Sequence, residues 1–335
     1  MKRSLLRLSI PLKEPFVTAG GVVSARELVL LRIEDDDGLV GYGEAAPLEP
    51  YDGVAIEEVV QALRNGSEGP PQARAAEEMA KLDLEARRAG RGLGEPGADA
   101  IPVNRTLPAG PPEETARAAR EGLRQGYSCF KVKVGLPDDD ERVAAVRAAI
   151  GSWPALRLDA NGAWEPDEAV QRIARLEPYD IQLVEQPCRT LEELALVRPL
   201  VPVPIAADES VTSPEDVRAA AAARACDAVN VKLAGAGGFT AARQAVREAQ
   251  AHDLRPFISS TLDGPWGIAA ALQLAASEGI SLACGLGTLE LFDARIARAL
   301  PLPADGLMAV PEGPGLGVNV DDDALAEVLV EEIDE

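Results

Sequence analysis

The chain has 335 residues, a formal net charge of −22 at pH 7, 47% hydrophobic residues and 26% charged residues. Such a composition belongs to a folded globular protein, and the length exceeds what one core usually supports, so a barrel with a smaller companion domain is expected. The acidic surface repels nucleic acid and anionic membranes, and no apolar run approaches the length of a membrane span.

The first stretch, MKRSLLRLSIPLKEPF, is interrupted by Arg7 and lacks a small-residue cleavage site, which predicts a cytoplasmic start. Three strands in hairpin succession are expected over Leu5–Val17, Glu27–Ile33 and Leu39–Ala45, with turns at Gly20-Gly21 and Asp35–Gly38. Helices follow at Val54–Leu63 and Ala73–Ala89. The Gly- and Pro-rich segment Gly90–Ala100 then marks a boundary.

Beyond it the pattern turns to strand–helix alternation. Strands are predicted at Pro102–Arg105, Cys129–Val134, Leu156–Ala160, Gln182–Glu185, Ile205–Asp208, Ala228–Lys232, Arg255–Ser259 and Leu282–Gly285. Amphipathic segments such as PEETARAAREGLRQG and DDDERVAAVRAAI lie between them. Seven βα units and a last strand predict an α/β fold, a (β/α)7β modified TIM barrel over 99–302. Residues 1–98 read as an α+β capping domain to which 303–335 return. An open doubly wound sheet would need a Gly-rich phosphate turn after an early strand. GAGG at 235–238 comes late and lacks the full spacing. The acidic runs Asp321–Asp323 and Glu331–Glu335 read as solvated ends.

Cys129, Cys188, Cys226 and Cys284 are far apart and read as buried, reduced thiols. The single histidine, His252, ends a helix, and it alone excludes a multi-histidine zinc site.

Chemistry is concentrated at the strand ends. Lysine is scarce, six of the 33 basic residues, yet three lysines fall on predicted barrel strands: Lys131, Lys133 and Lys232. Arginine cannot act as a base, whereas a buried lysine can shed its proton. From Lys133 to Asp159, Glu185, Asp208 and Lys232 the steps are 26, 26, 23 and 24 residues. That is the period of a strand, a helix and two loops, so one charged side chain ends each of five successive strands. Alternation points Lys131 and Lys133 the same way. Two like charges side by side are expected to depress each other's pKa, which suits a base that takes a proton from carbon.

Three carboxylates at a barrel mouth need neutralising. Either arginines pair with them, or a divalent cation does, and all-oxygen ligands suit magnesium, with manganese as a substitute. Arg157 and Asn161 share the face of Asp159, and Arg157 is expected to pair with a carboxylate. Glu209 points away from Asp208 and is expected to support a lysine. The expected partner is a small-molecule carboxylate, and both a monomer and a homo-oligomer fit the sequence.

The motifs GEAAPL, FKVKVG, LRLDANGAW, LVEQPC, IAADES, VNVKLAGAGG, ISSTLDGPWG and ACGLGT, in this order, resemble those of the enolase superfamily, in its muconate-lactonising-type branch. The resemblance covers nearly the whole chain. It implies a lysine base with magnesium holding the charge of an enediolate. Lys133 would be the base, Lys232 would stabilise the enediolate, and Asp159, Glu185 and Asp208 would hold magnesium. Within the branch, LVEQPC, ISSTLDGPWG and ACGLGT look most like the o-succinylbenzoate synthase family. That likeness implies dehydration of 2-succinyl-6-hydroxy-2,4-cyclohexadiene-1-carboxylate in menaquinone synthesis. It also places loops Phe16–Ser24, with Gly20, and Pro47–Gly53 over the mouth. Ser259, Ser260, Gly285, Gly287 and Thr288 would meet the succinyl carboxylate. N-succinylamino acid racemases and dipeptide epimerases share the scaffold and remain alternatives. Dipeptide epimerases usually carry an acidic DxD where this chain reads GLGTLEL.

Overall fold

A computed structural model describes residues 2–18, 21–66, 69–318 and 320–334. Strands β1 (Lys2–Thr18), β2 (Gly21–Glu34) and β3 (Val40–Ala45) form the antiparallel meander read from the sequence. Helices α1 (Glu49–Asp52), α2 (Ile56–Asn65) and α3 (Pro71–Ala89) follow. The run ELVLLRI lacks polar alternation because both faces of β2 are covered. Leu28 and Leu30 join the apolar cluster of the barrel, whereas Val29, Leu31 and Ile33 pack with Ile56, Val59, Leu63 and Leu84. Helix α3 lies so close to β3 that a Cβ on Gly43 would stand 1.9 Å from the Ala76 carbonyl oxygen. Only glycine fits there.

The alternating region runs β4 (Ala100–Pro102), β5 (Arg105–Thr106), α4 (Pro112–Arg124), β6 (Cys129–Lys133), α5 (Asp139–Ile150) and β7 (Ala155–Asp159). It continues through α6 (Pro166–Leu176), β8 (Ile181–Glu185), α7 (Leu191–Val197), β9 (Ile205–Ala207), α8 (Pro214–Ala223) and β10 (Ala228–Val231). Then come α9 (Leu233–Ala236), α10 (Phe239–Ala251), β11 (Arg255–Ile258) and α11 (Pro265–Ser277). The tail holds β12 (Leu307–Ala309), α12 (Asp322–Ala326) and β13 (Leu329–Asp334). Strands β5 to β11 are hydrogen-bonded in chain order, each parallel to the next.

Two barrel strands differ from the prediction. The first is split, because Pro102 has no N–H to give; β4 instead pairs antiparallel with β12. The last, predicted at Leu282–Gly285, is reduced to two parallel bridges, Val103–Cys284 and Ser259–Gly285. Those bridges close the ring: Cys284 N donates to Pro102 O at 2.7 Å and Gly285 N to Ile258 O at 2.8 Å. The acidic residues Glu331 and Glu332 are exposed, as a solvated run should be. Residues 331–334 are not a loose end but part of β13, which pairs with β1 and aligns Arg7 with Glu331 and Leu5 with Ile333. Charges on such an edge strand discourage pairing with other chains. The four cysteines are free and buried, and His252 caps α10. Among the described residues no helix is long and apolar enough to cross a membrane.

The N-terminal sheet meets the barrel at a buried polar seam. The Arg26 guanidinium, 2% exposed, donates to Leu262 O at 3.1 Å, Ala46 O at 2.7 Å and Glu27 O at 3.0 Å, and also to Pro47 O. Glu44 accepts from Gly264 N at 2.7 Å and Gly267 N at 3.2 Å, at the start of α11. Burial, with Asp263 adding to it, pushes the Glu44 carboxyl up to about 8; burial pushes Asp263 up to about 6 against the pull of Arg26. Between its ordinary value near 4.5 and about 8, Glu44 therefore keeps a proton in the folded chain that the unfolded chain has lost. Raising the pH through that window favours unfolding. Urea denaturation from about pH 5 to about pH 8 is expected to show stability falling by up to ~1.4 kcal/mol per pH unit from this group. Glu44→Gln, which stays neutral, should flatten the slope. Equal slopes in both proteins would place the proton elsewhere.

Candidate active site

Register brings the charged residues to one level. Lys133 lies beside Asp159, Asp159 beside Glu185, and Glu185 beside Ala206, two residues before Asp208. Lys232 follows β10 directly and opens α9. Parallel strands put all of these at the C-terminal rim, where TIM-type barrels carry their chemistry. In FKVKVG, Phe130 and Val132 face the helices and are buried, which leaves both lysines for the interior.

The acids are almost fully inside: Asp159 and Glu185 are 0% exposed and Asp208 4%. Lysines neutralise them. Lys131 Nζ stands 2.9 Å from Asp159 Oδ2 and 2.7 Å from Glu185 Oε2. Lys133 Nζ donates to Asp159 Oδ2 at 2.6 Å and to Asn161 Oδ1 at 2.8 Å. Lys232 is ion-paired with Asp208. Burial alone would raise Asp159, but Lys131 and Lys133 outweigh it and hold the carboxyl below its usual range. Burial pushes Glu185 up to about 7 despite Lys131.

The expected mutual depression of the paired lysines fails for Lys131. Burial does disfavour its charge, yet Asp159, Glu185 and Asp208 together move its pKa upward. Lys232 moves the same way: burial opposes, and Asp208 and Glu209 prevail. Acids outnumber amines around these two groups, and that decides the sign.

The remaining predicted residues divide. Asn161 joins the site: its amide donates to Glu209 Oε1 at 2.8 Å while its oxygen accepts from Lys133. Glu209 thus reaches Lys133 through Asn161. Arg157 does not pair with a carboxylate. It lies deeper, donating to Gln182 Oε1 and to Ala283 O, both at 2.7 Å, with Phe257 against its guanidinium. A side chain two residues below the rim cannot reach past Lys131. Ser259 is turned inward, where its hydroxyl donates to Asn230 Oδ1 at 2.8 Å. The Gly285 N–H is spent on barrel closure rather than on a ligand. Ser260 and Thr288 share a 2.9 Å hydrogen bond between hydroxyls, and Gly287 begins a 3-10 turn over Gly287–Leu291. Gly20 lies outside the described residues.

Three neighbours escaped the sequence reading. Asn230 Nδ2 donates to Glu185 Oε1 at 2.7 Å. Gln186 Oε1 accepts from Asp208 N at 2.7 Å. Tyr51 accepts from Lys232 Nζ at 2.8 Å. The polar residue in AVNVK was the signal for Asn230. Nothing local marks Tyr51, whose role depends on how the N-terminal region docks.

As the side chains stand, no three carboxylate, cysteine or histidine groups converge as a ligand cluster among the described residues, because amines stand between the acids. The donor set nevertheless fits a hard divalent cation. Three buried carboxylates offer only oxygen, and among the described residues their charge is met within the barrel by lysine amines alone.

A closed (β/α)7β barrel with three acids flanked by lysines on its C-terminal rim, packed against an antiparallel sheet, defines a class of protein. A family model described as Enolase C-terminal domain-like matches residues 114–324. The o-succinylbenzoate synthase of Thermobifida fusca (strain YX) is 36% identical over 319 residues, 92% of this chain and 87% of that protein. The crystal structure of N-succinyl Arg/Lys racemase from Bacillus cereus ATCC 14579 superposes with a TM-score of 0.94 at 25% identity, covering 100% of this chain and 99% of that one. A dipeptide epimerase from Cytophaga hutchinsonii, solved with Mg and the dipeptide D-Ala-L-Val, gives 0.90 at 26% identity, covering 100% and 99%. The chain belongs to the enolase superfamily.

Lys131→Met would strip Asp159 and Glu185 of a shared counter-charge inside the barrel. Removing one partner of such a buried pair costs about 3–5 kcal/mol. That loss is expected in urea denaturation with EDTA present. Adding Mg2+ should recover more stability in this variant than in the parent, since a cation bound to the folded state stabilises it by mass action. A loss below about 1 kcal/mol would mean that the acids are solvated.

Proposed function

We propose that this protein is an o-succinylbenzoate synthase, dehydrating 2-succinyl-6-hydroxy-2,4-cyclohexadiene-1-carboxylate to 2-succinylbenzoate. The observation that carries the reading is the Lys133 amine at the rim, held by Asp159 and backed by Asn161 and Glu209, in a chain that aligns with a synthase of that name over 92% of its length. Lys133 takes the proton from the carbon bearing the carboxylate. The C–O bond to the ring hydroxyl breaks as the ring becomes aromatic, and Lys133 returns the proton so that water leaves. One base serves both steps. Lys232 lays a second positive charge against the enediolate. Asp159, Glu185 and Asp208 would hold Mg2+, which when bound supplies positive charge to the substrate carboxylate. Residues 1–98 and 303–335 act as the cap over residues 99–302.

A racemase of N-succinylamino acids is the second reading. It is favoured by the structural likeness to the Bacillus cereus enzyme and by the two rim amines, Lys133 and Lys232. A dipeptide epimerase is disfavoured. The acid in GLGTLEL, Glu290, is ion-paired with Arg105 and accepts from the Tyr127 hydroxyl, so it is not free to receive a peptide amine.

Turnover of the cyclohexadiene acid, measured beside N-succinyl amino acids, tests the proposal. Rapid dehydration that is abolished by EDTA and restored by Mg2+ is expected. Lys133→Ala should lower dehydration by at least about 10²–10⁴ with Mg2+ binding intact. Retained turnover would remove Lys133 as the base, and racemisation alone would overturn the synthase reading.

A further inference from the structure

We propose that Tyr51 is a positioning residue for Lys232, so that the cap sets the reach of one of the two rim amines. This rests on the reading of Lys232 as an amine that faces the reacting substrate. A lysine head has three N–H donors on a four-carbon stem with many rotamers, and an unsupported amine must lose that freedom each time it is used. Lys232 is supported on two sides. Asp208 takes one donor, and the Tyr51 hydroxyl takes another at 2.8 Å. The Tyr51 ring also lies against it, with Nζ 5.1 Å from the centroid, a cation–π contact. One donor remains for a substrate. Lys133 is held differently: the partners of its Nζ, Asp159 and Asn161, both come from the barrel.

Tyr51 stands on a stiff platform. The Asp52 carboxylate accepts from Leu48 N and Val54 N, both at 2.9 Å, and from Gln72 Nε2 at 2.8 Å, tying the two sides of α1 to α3. Gly53, at φ 71°, closes the turn. Upstream, the buried Arg26 holds Ala46 O and Pro47 O. The result places Tyr51 beside Lys232, Asp208 and Glu209 on the wall of a cavity of about 370 Å3 between cap and barrel. Movement of this loop therefore changes how Lys232 is held while leaving Lys133 untouched.

Tyr51→Phe keeps the ring and removes the acceptor, and Tyr51→Leu removes both. The first readout needs no substrate: reaction with trinitrobenzenesulfonate, with labelling of Lys232 and Lys133 quantified by peptide mass spectrometry. The Lys232-to-Lys133 ratio is expected to rise in Tyr51→Leu, with Tyr51→Phe between it and the parent. The second readout is steady-state kinetics. Loss of one hydrogen bond to a charged group predicts a kcat drop of about tenfold or more in Tyr51→Phe, with KM within about twofold and an unchanged melting temperature. An unchanged labelling ratio overturns the proposal, as does a raised ratio with unchanged kcat. A rise in KM that accounts for the whole loss makes Tyr51 a substrate contact and also overturns it. If the parent protein turns over neither the cyclohexadiene acid nor N-succinyl amino acids, the functional reading fails, and the labelling ratio alone decides whether Tyr51 holds Lys232.

Discussion

Carboxylates inside a barrel mouth set the terms for the rest of this structure. An ionised acid removed from water without a counter-charge costs several kcal/mol, and here Asp159, Glu185 and Asp208 are removed together. The chain answers with Lys131, Lys133 and Lys232, placed on strands before and after the acids. With Glu209 included, four acids face three amines. The rim is therefore a donor set for a hard cation and a holder of ammonium groups at once. The raised pKa values of Lys131 and Lys232 and the lowered one of Asp159 follow from this packing of opposite charge.

That density of charge is tolerated only because the scaffold is rigid. Parallel register fixes Lys133, Asp159 and Glu185 at one height, and the bridges through Cys284 and Gly285 close the ring where no full strand exists. The cap is fixed by a second buried polar system. Arg26 holds the carbonyls of Ala46 and Pro47, while Glu44 accepts the first N–H groups of α11. The helix N-terminus favours a negative charge there, but burial next to Asp263 prevails and pushes the carboxyl up. Cap and barrel thus meet through buried hydrogen bonds as well as apolar contact, and the loop that follows Pro47 inherits its position from that seam.

Much of this was legible in the chain. The 26-residue spacing from Lys133 to Asp159 and from Asp159 to Glu185 gave the strand-end placement, because a βα unit has a nearly fixed length. Alternation put Lys131 and Lys133 on one side, as β6 has them. What local pattern could not give was depth. Arg157 and Asp159 share a face, yet one sits below the rim and pairs with Gln182, and the other stands on it. Ser259 directly follows β11, but Asn230 on the adjacent strand claims its hydroxyl. The acidic run at the C-terminus is exposed as read, but its edge-strand pairing depends on β1, more than 300 residues away. The resemblance placed the loop Pro47–Gly53 over the mouth, but not the contact of Tyr51 with Lys232, 181 residues distant.

The two rim amines carry the choice between reactions. Racemisation through two bases needs each amine to be neutral in turn, once as base and once after giving its proton. Dehydration on one face needs that of a single amine. Lys232 is held by a carboxylate, a phenol and an aromatic face, and all three contacts favour its charged form. Lys133 shares its acid with Lys131, so the negative charge of Asp159 is divided between two ammonium groups. Its other partner is the neutral Asn161. The rim is therefore built unequally: Lys232 is held by Asp208 and, from the N-terminal region, by Tyr51, whereas both partners of Lys133 come from the barrel.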